Sequence, residues 1–196
     1  MDRGFPGTPI DRVYIEGFLE RHAHEIRGRA LEVEGSYYTD RFDGSRVTER
    51  HVLDIDPTNE RADIVGDLAD PATLPARAFD TFVLTQTLQF IGPVERALEN
   101  AYAALAPGGV ILATVPAIAR IHYRHRDYWR FTPEGLRQLL ELKLPGADIH
   151  TEGYGNAVAA IAFVLGLAAE ELRREELYDL DPALPVVTWA VIRRPA

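Results

Sequence analysis

The densest run of chemically capable side chains is Arg120-Ile121-His122-Tyr123-Arg124-His125-Arg126-Asp127-Tyr128-Trp129-Arg130-Phe131-Thr132. Either His122 or His125 can accept a proton near neutral pH, and Tyr128 adds a phenol, so these three are the candidate catalytic groups. Arg126 and Arg130 can orient an anionic substrate, and Trp129 offers an aromatic wall. The competing reading is a solvated basic loop fastened to the core by Trp129 and Phe131. His122-x-x-His125 has metal-ligand spacing but no clear third ligand, so no metal is expected. His22 and His24 read as exposed positions on a helix.

These residues need a scaffold. A helix is predicted from Thr8, as N-cap, through Pro9 and Asp11 to about Ile26. Strands are predicted at Arg29 to Val33, within Arg46 to Ile55, at Ala62 to Val65 and at Thr81 to Thr85, the last an apolar run of the kind covered on both faces. Within Pro93 to Leu105, the residues Val94, Ala97, Leu98, Ala101, Tyr102 and Leu105 form one helical stripe, which Pro107-Gly108-Gly109 stops. Val110 to Val115 reads as a strand, Pro133 to Leu142 as a helix, and Asp148 to Gly153 and Val186 to Arg193 as late strands. The apolar run Ala157 to Ala169 reads as a buried helix capped by Asn156, and Asp179 to Pro185 as a loop. Alternating strands and helices imply an α/β fold, a doubly wound, mostly parallel sheet flanked by helices. The Arg120–Thr132 run then lies past the carboxyl end of a strand, where ligands bind open α/β sheets.

The turn after the first strand, Glu32-Val33-Glu34-Gly35-Ser36-Tyr37-Tyr38, is poor in glycine. Glycines there let backbone N–H groups approach a ligand without Cβ clashes, and only Gly35 supplies that freedom. Tyr37 and Tyr38 either line a reshaped pocket or pack against Phe42.

With 196 residues and 46% hydrophobic content, one domain with a substantial core is expected over 1–196. It divides into an N-terminal helical segment (1–28), a ligand-binding core (29–142), and a C-terminal helix with late strands (143–196). A net charge of −9 disfavours long-range attraction to nucleic acid or an anionic membrane and leaves a small molecule as the expected partner. The absence of cysteine excludes disulfides, thiolate nucleophiles and zinc–thiolate sites, which fits a cytoplasmic setting. Residues 1–7 lack a signal-like apolar core, and the longest apolar run is too short to span a bilayer.

From Arg29 to Leu142 the ordered motifs resemble the small class I methyltransferases that use S-adenosylmethionine (SAM). Val52-Leu53-Asp54-Ile55-Asp56-Pro57 resembles the second strand with its ribose-binding acid, which implies Asp54 first and Asp56 in reserve. Ile64-Val65-Gly66-Asp67-Leu68 is similar to the adenine segment, which implies Asp67 on the exocyclic amine and Leu68 over the ring. Phe79-Asp80-Thr81-Phe82-Val83-Leu84-Thr85 resembles the fourth strand, ending at Thr85 by the cofactor, and Leu105 to Val110 the turn before the fifth. The family's acidic-x-Gly-x-Gly-x-Gly turn corresponds to Glu32, Glu34, Ser36 and Tyr38, with Gly35 out of phase. An inward Glu34 would meet the carboxylate of SAM, and two unit charges about 4 Å apart repel by roughly 4 kcal/mol at intermediate dielectric. Many relatives carry Leu-Glu-His after the fourth strand; here Leu88-Gln89-Phe90 stands there, with Gln89 still able to hydrogen-bond.

The resemblance implies a Rossmann-like methyltransferase fold, SAM as cofactor, and methyl transfer to an oxygen or nitrogen of a small molecule such as a sugar or secondary metabolite. On this reading Glu32, Gly35, Asp54, Asp56, Asp67, Leu68 and Thr85 face the cofactor. Tyr37, Tyr38, Gln89, Arg126, Trp129 and Arg130 face the substrate. Two other readings stay open: the scaffold repurposed for SAM-independent cyclase, lyase or isomerase chemistry, or a non-catalytic binding subunit of a partner enzyme. A homodimer is a further open partner.

Overall fold

The computed structural model describes residues 7–42, 44–122 and 126–196. In chain order the elements are α1 (Ile10–Arg21), β1 (Gly28–Val33), α2 (Tyr37–Phe42), β2 (Val47–Asp54), β3 (Ile64–Val65), β4 (Phe79–Thr85), α3 (Val94–Ala104), β5 (Leu105–Pro116), α4 (Pro133–Lys143), β6 (Asp148–Tyr154), α5 (Ala157–Leu165), α6 (Arg174–Tyr178) and β7 (Val187–Arg193). The seven strands form one sheet in the order β3-β2-β1-β4-β5-β7-β6. β1 to β5 pair in parallel, and β7 runs antiparallel between β5 and β6. The order reverses between β1 and β4. At such a reversal the crossovers on either side leave in opposite directions, and open α/β sheets bind their ligands outside the carboxyl ends of the two strands.

The pleat sorts the central strands into two apolar layers. Phe82 and Leu84 of β4 and Ile111, Ala113 and Val115 of β5 pack with α3 and α4. Val83, Val110 and Leu112 face the layer of α1 and α5, in which Trp189 stacks on Phe18 at 5.0 Å between ring centroids. The α3 stripe read from the sequence is buried as expected at Val94, Ala97, Leu98 and Ala101.

Several local expectations are corrected. α1 ends at Arg21 and passes into a 3₁₀ turn, Ala23–Glu25, before reaching Ile26. Thr8 does not cap α1; its hydroxyl donates to Glu170 Oε1 at 2.6 Å, tying the chain's start to the segment after α5. The run Ala157 to Ala169 is not a buried helix. α5 ends at Gly166, whose φ of 82° lies in the left-handed region, and only its alanine side is buried. Val158, Ile161, Val164 and Leu165 are exposed. Apolar sequence marks what a helix would bury, whereas coverage depends on neighbours, and none packs on that face among the described residues. Asn156 does cap α5, accepting from Ala159 N at 2.9 Å. Its amide also donates to the Glu176 and Asp179 carbonyls. No helix among the described residues is long and apolar enough to cross a membrane.

Candidate functional site

The turn after β1 is organised from beneath by Glu32. This residue is buried, and its carboxylate accepts from Tyr38 N at 3.0 Å, Thr39 N at 2.8 Å and the Thr39 hydroxyl at 2.9 Å. These bonds satisfy first-turn N–H groups of α2, and explain how a six-residue segment without a strong stripe becomes helical. Burial raises the Glu32 pKa, and the three hydrogen bonds act against that rise. The left-handed residue of the turn is Glu34, with φ of 69°; Gly35 lies outside that region, and a Cβ there would meet no heavy atom within 4 Å. Backbone freedom is thus used one position before the glycine. Tyr38 packs into the α1 layer and stacks on Phe42, while Tyr37 is exposed and its hydroxyl meets Glu16 and Arg41.

Asp54 ends β2 beside this turn. Its Oδ1 accepts from Asp56 N at 2.9 Å and its Oδ2 from Asn59 Nδ2 at 2.6 Å, and the same Asn59 amide donates to Glu34 O at 3.0 Å. Asn59 thereby joins the β1 and β2 turns, a role not read from the sequence although it stands five positions from Asp54. A carboxylate offers about four lone-pair sites, so two remain for a ligand. Asp56 is turned into its own loop, accepting from the N–H and hydroxyl of Thr58, which hold its carboxyl below the usual range. Asp67 accepts from Ala69 N at 2.9 Å after β3. Leu68 is buried in the core, and its carbonyl accepts from Asn100.

At the end of β4, Thr85 is followed by Gln86, whose φ of 47° is unusual for a residue with a side chain. Gln89 is 5% exposed and donates from Nε2 to Gln86 O at 2.8 Å. The basic run is fastened over this turn. Tyr128 N donates to Gln89 O at 2.8 Å, Trp129 Nε1 to Ile91 O at 3.0 Å, and Phe131 N to Pro116 O at 3.0 Å. Arg130 donates to Asp127 Oδ2 at 2.8 Å and reaches the Ala119 and Arg120 carbonyls, so its charge is taken up in closing the segment. That pairing holds the Asp127 carboxyl below its usual range.

The structure therefore brings Glu32, Gly35, Asp54, Asp67 and Thr85 to one end of the sheet, and seats Gln89, Tyr128 and Trp129 on the neighbouring β4 turn. His122 is exposed, 5.5 Å edge-on from Phe90, and its backbone N–H donates to Asp127. Arg126 is exposed. His125 lies outside the described residues. No group of three or more His, Asp or Glu side chains suited to a metal occurs among the described residues. A cleft of about 600 Å³ at the β6 edge, lined by Arg21, Thr132, Tyr154, Leu180 and Pro182 among others, contains none of the candidate residues.

The polar groups suit a nucleoside with a charged tail. Asp54 has one accepted bond on each carboxylate oxygen and lone pairs to spare, a Cβ at Gly35 would meet open space, and Gln86 Nε2 and Gln89 Oε1 are buried without a hydrogen-bond partner among the described residues. Residues 23–113 match a family model described as a methyltransferase domain. Among curated proteins, no sequence matches this chain significantly. The fold is similar to a SAM-dependent methyltransferase from Archaeoglobus fulgidus, at 15% identity over 93% of this chain and 94% of that one, with a TM-score of 0.63. It is also similar to a chain from the Haloferax volcanii complex between the Trm112 methyltransferase activator and its methyltransferase candidate, at 17% identity, 95% and 96% coverage and a TM-score of 0.61. The [4+2]-cyclase SpnF is similar at 19% identity, 95% and 82% coverage and a TM-score of 0.60.

Proposed function

Because this chain has the Rossmann-like fold of the class I SAM-dependent methyltransferases and matches a methyltransferase domain model over residues 23–113, we propose that it transfers the methyl group of SAM to an oxygen or nitrogen of a small-molecule acceptor. The observation that carries this reading is Asp54, set at the carboxyl end of β2 with one bond accepted on each carboxylate oxygen and lone pairs left over. When bound, SAM supplies an electrophilic methyl group on a sulfonium centre. Asp54 would hold the ribose, Asp67 and the Leu68 neighbourhood the adenine, and the Glu32–Gly35 turn and Thr85 the remainder.

Positioning and exclusion of water make up most of what the protein must contribute to such a displacement. The 126–131 segment, held on the Gln89, Ile91 and Pro116 carbonyls, presents the partly exposed Tyr128 and Trp129 rings to the acceptor side. His122 accepts the acceptor's proton at a ring nitrogen where one must leave, with His125 or Tyr128 as the alternative proton carriers. The acceptor we favour is a sugar or secondary metabolite in the cytoplasm. Calorimetric titration with SAM tests the reading: micromolar binding is expected, with Asp54→Ala weakening it beyond detection. Unchanged binding in that variant overturns the assignment of Asp54.

A second reading keeps the scaffold and changes the reaction, since a cyclase has the same fold. Turnover of a substrate without consumption of SAM would favour it, and stoichiometric methylation would remove it. A partner or second copy would be sought at the exposed face of α5, and light scattering that shows a monomer at every concentration removes the homodimer.

A further inference from the structure

The cleft at the β6 edge, about 600 Å³, is the size of a small-molecule site and holds none of the groups assigned above to SAM or its acceptor. β6 stands three strand spacings from β4, about 14 Å away. The lining of the cleft gathers hydrogen-bond donors. Tyr154 is 5% exposed, and neither its hydroxyl nor Trp189 Nε1, in the ring 5.6 Å away, completes a hydrogen bond among the described residues. Buried polar groups are almost always paired, so two open ones side by side mark a place for a ligand atom. Burial raises the Tyr154 pKa, and the phenol keeps its proton at neutral pH. Arg21 closes α1 and makes no ion pair among the described residues; its guanidinium lies over the Tyr154 ring, 5.4 Å from the centroid. Thr132 caps α4, its hydroxyl accepting from Gly135 N at 3.0 Å with its own proton left to give. The positive end of that eleven-residue helix opens onto the same cleft.

These groups select an anion. Two acids also line the cleft, but Glu134 pairs with Arg137, and Glu152 Oε1 lies 3.4 Å from His150 Nε2. Pro133, Leu180 and Pro182 supply an apolar wall. We propose that this cleft binds an organic carboxylate with an apolar body, the carboxylate taking the Arg21 guanidinium and the Tyr154 and Thr132 hydroxyls while the body lies against Pro133, Leu180 and Pro182. Arg21 is exposed and long, so rotation of its side chain carries the charge from the ring to an anion at the phenol edge. With its O–H directed at that anion, the phenol oxygen is free to accept the Trp189 N–H, and one ligand oxygen closes both open groups. A planar acceptor with two oxygens also matches the guanidinium fork.

Titration of the protein followed by nitrogen–proton correlation NMR tests this with three probes. 4-Phenylbutyrate has the charge and the body, 4-phenylbutanamide the body alone, and acetate the charge alone. 4-Phenylbutyrate is expected to bind at about millimolar concentration, with shifts centred on the Thr132, Gly153 and Tyr154 amides, and the other two about tenfold more weakly. Tyr154→Phe and Arg21→Gln should each bring 4-phenylbutyrate level with the amide and leave the amide within twofold, which reports an intact cleft. Equal affinity for 4-phenylbutyrate and its amide, equal affinity for acetate, or no binding of 4-phenylbutyrate overturns the proposal. So does a preference for the carboxylate that survives in both variants, the result expected if it enters at the β4 end instead. Tyr154→Phe should leave thermal melting unchanged or raise it, because the hydroxyl has no partner to lose; a fall assigns that hydroxyl to the fold and removes it from the site. The SAM reading stands or falls separately.

Discussion

At the carboxyl ends of β1, β2 and β3, the acids are held by groups close in sequence: Glu32 by Tyr38 and Thr39, Asp54 by Asp56 and Asn59, Asp67 by Ala69. At the ends of β4 and β5 the ties are long. Trp129 bonds the Ile91 carbonyl across 38 positions, and Tyr128 meets Gln89. Short turns close at small entropic cost and keep their shape whatever surrounds them, whereas the second set exists only once the sheet has brought its parts together. The turns after β1, β2 and β3 are therefore held mainly by local bonds, with Asn59 joining the first two, and the ends of β4 and β5 form a tertiary assembly.

Breaking the locally held side at its most buried point should have the largest effect. Glu32→Ala removes the acceptor for three donors and is expected to cost about 2–4 kcal/mol in urea unfolding, with Glu32→Gln costing less because one oxygen remains. The pH dependence carries a sign. Burial raises the folded-state pKa of Glu32, so its contribution to stability is complete below the unfolded value of about 4.3 and declines as pH rises through the folded value. Glu32→Gln should flatten that decline. An equally steep fall in the variant would assign the effect to another group.

On the tertiary side, Asp127→Ala releases Arg130 and the His122 N–H and should cost about 1–2 kcal/mol, with faster hydrogen exchange at the Tyr128 amide and a shift in Trp129 fluorescence. Here the sign reverses. Arg130 depresses the Asp127 pKa, so the pair's contribution is present above about pH 3.9 and is lost as pH falls through the lower folded value. Exchange at Tyr128 that does not change in the variant would separate the ion pair from the seating of the segment.

The smallest effects sharpen the account of the β1 turn. Glu34→Gly relieves the left-handed φ of 69° and should stabilise by about 0.5–1 kcal/mol, while Gly35→Ala, into open space at an ordinary φ, should change stability by less than about 0.5 kcal/mol. A larger loss at Gly35 than at Glu34 in thermal melts would return the conformational role to the glycine.

The same division governs what could be read in advance. The first strand read at Arg29 to Val33 is β1 at Gly28–Val33, and the stripe from Val94 to Leu105 is α3, because apolar period reports the face an element buries. α2 escaped that reading because its six residues are organised by Glu32 beneath them. Asn59 and Gln86 escaped because neither stands in a motif; one bridges two turns, and the other is marked by a backbone angle and by an amide nitrogen without a partner among the described residues.

By itself, the sequence determined the alternating α/β order, the acids at the ends of β1, β2 and β3, and their fit to a methyltransferase pattern, since each depends on periodicity or on partners a few residues away. Only the tertiary structure decided that Glu32 faces inward beneath α2, that Arg130 pairs with Asp127, that the apolar side of α5 lies open among the described residues, and that Gln86 Nε2 and Gln89 Oε1 are buried without partners among those residues at the reversal of the sheet. Those outcomes depend on which distant segments pack on a residue, and local residue order carries no record of that.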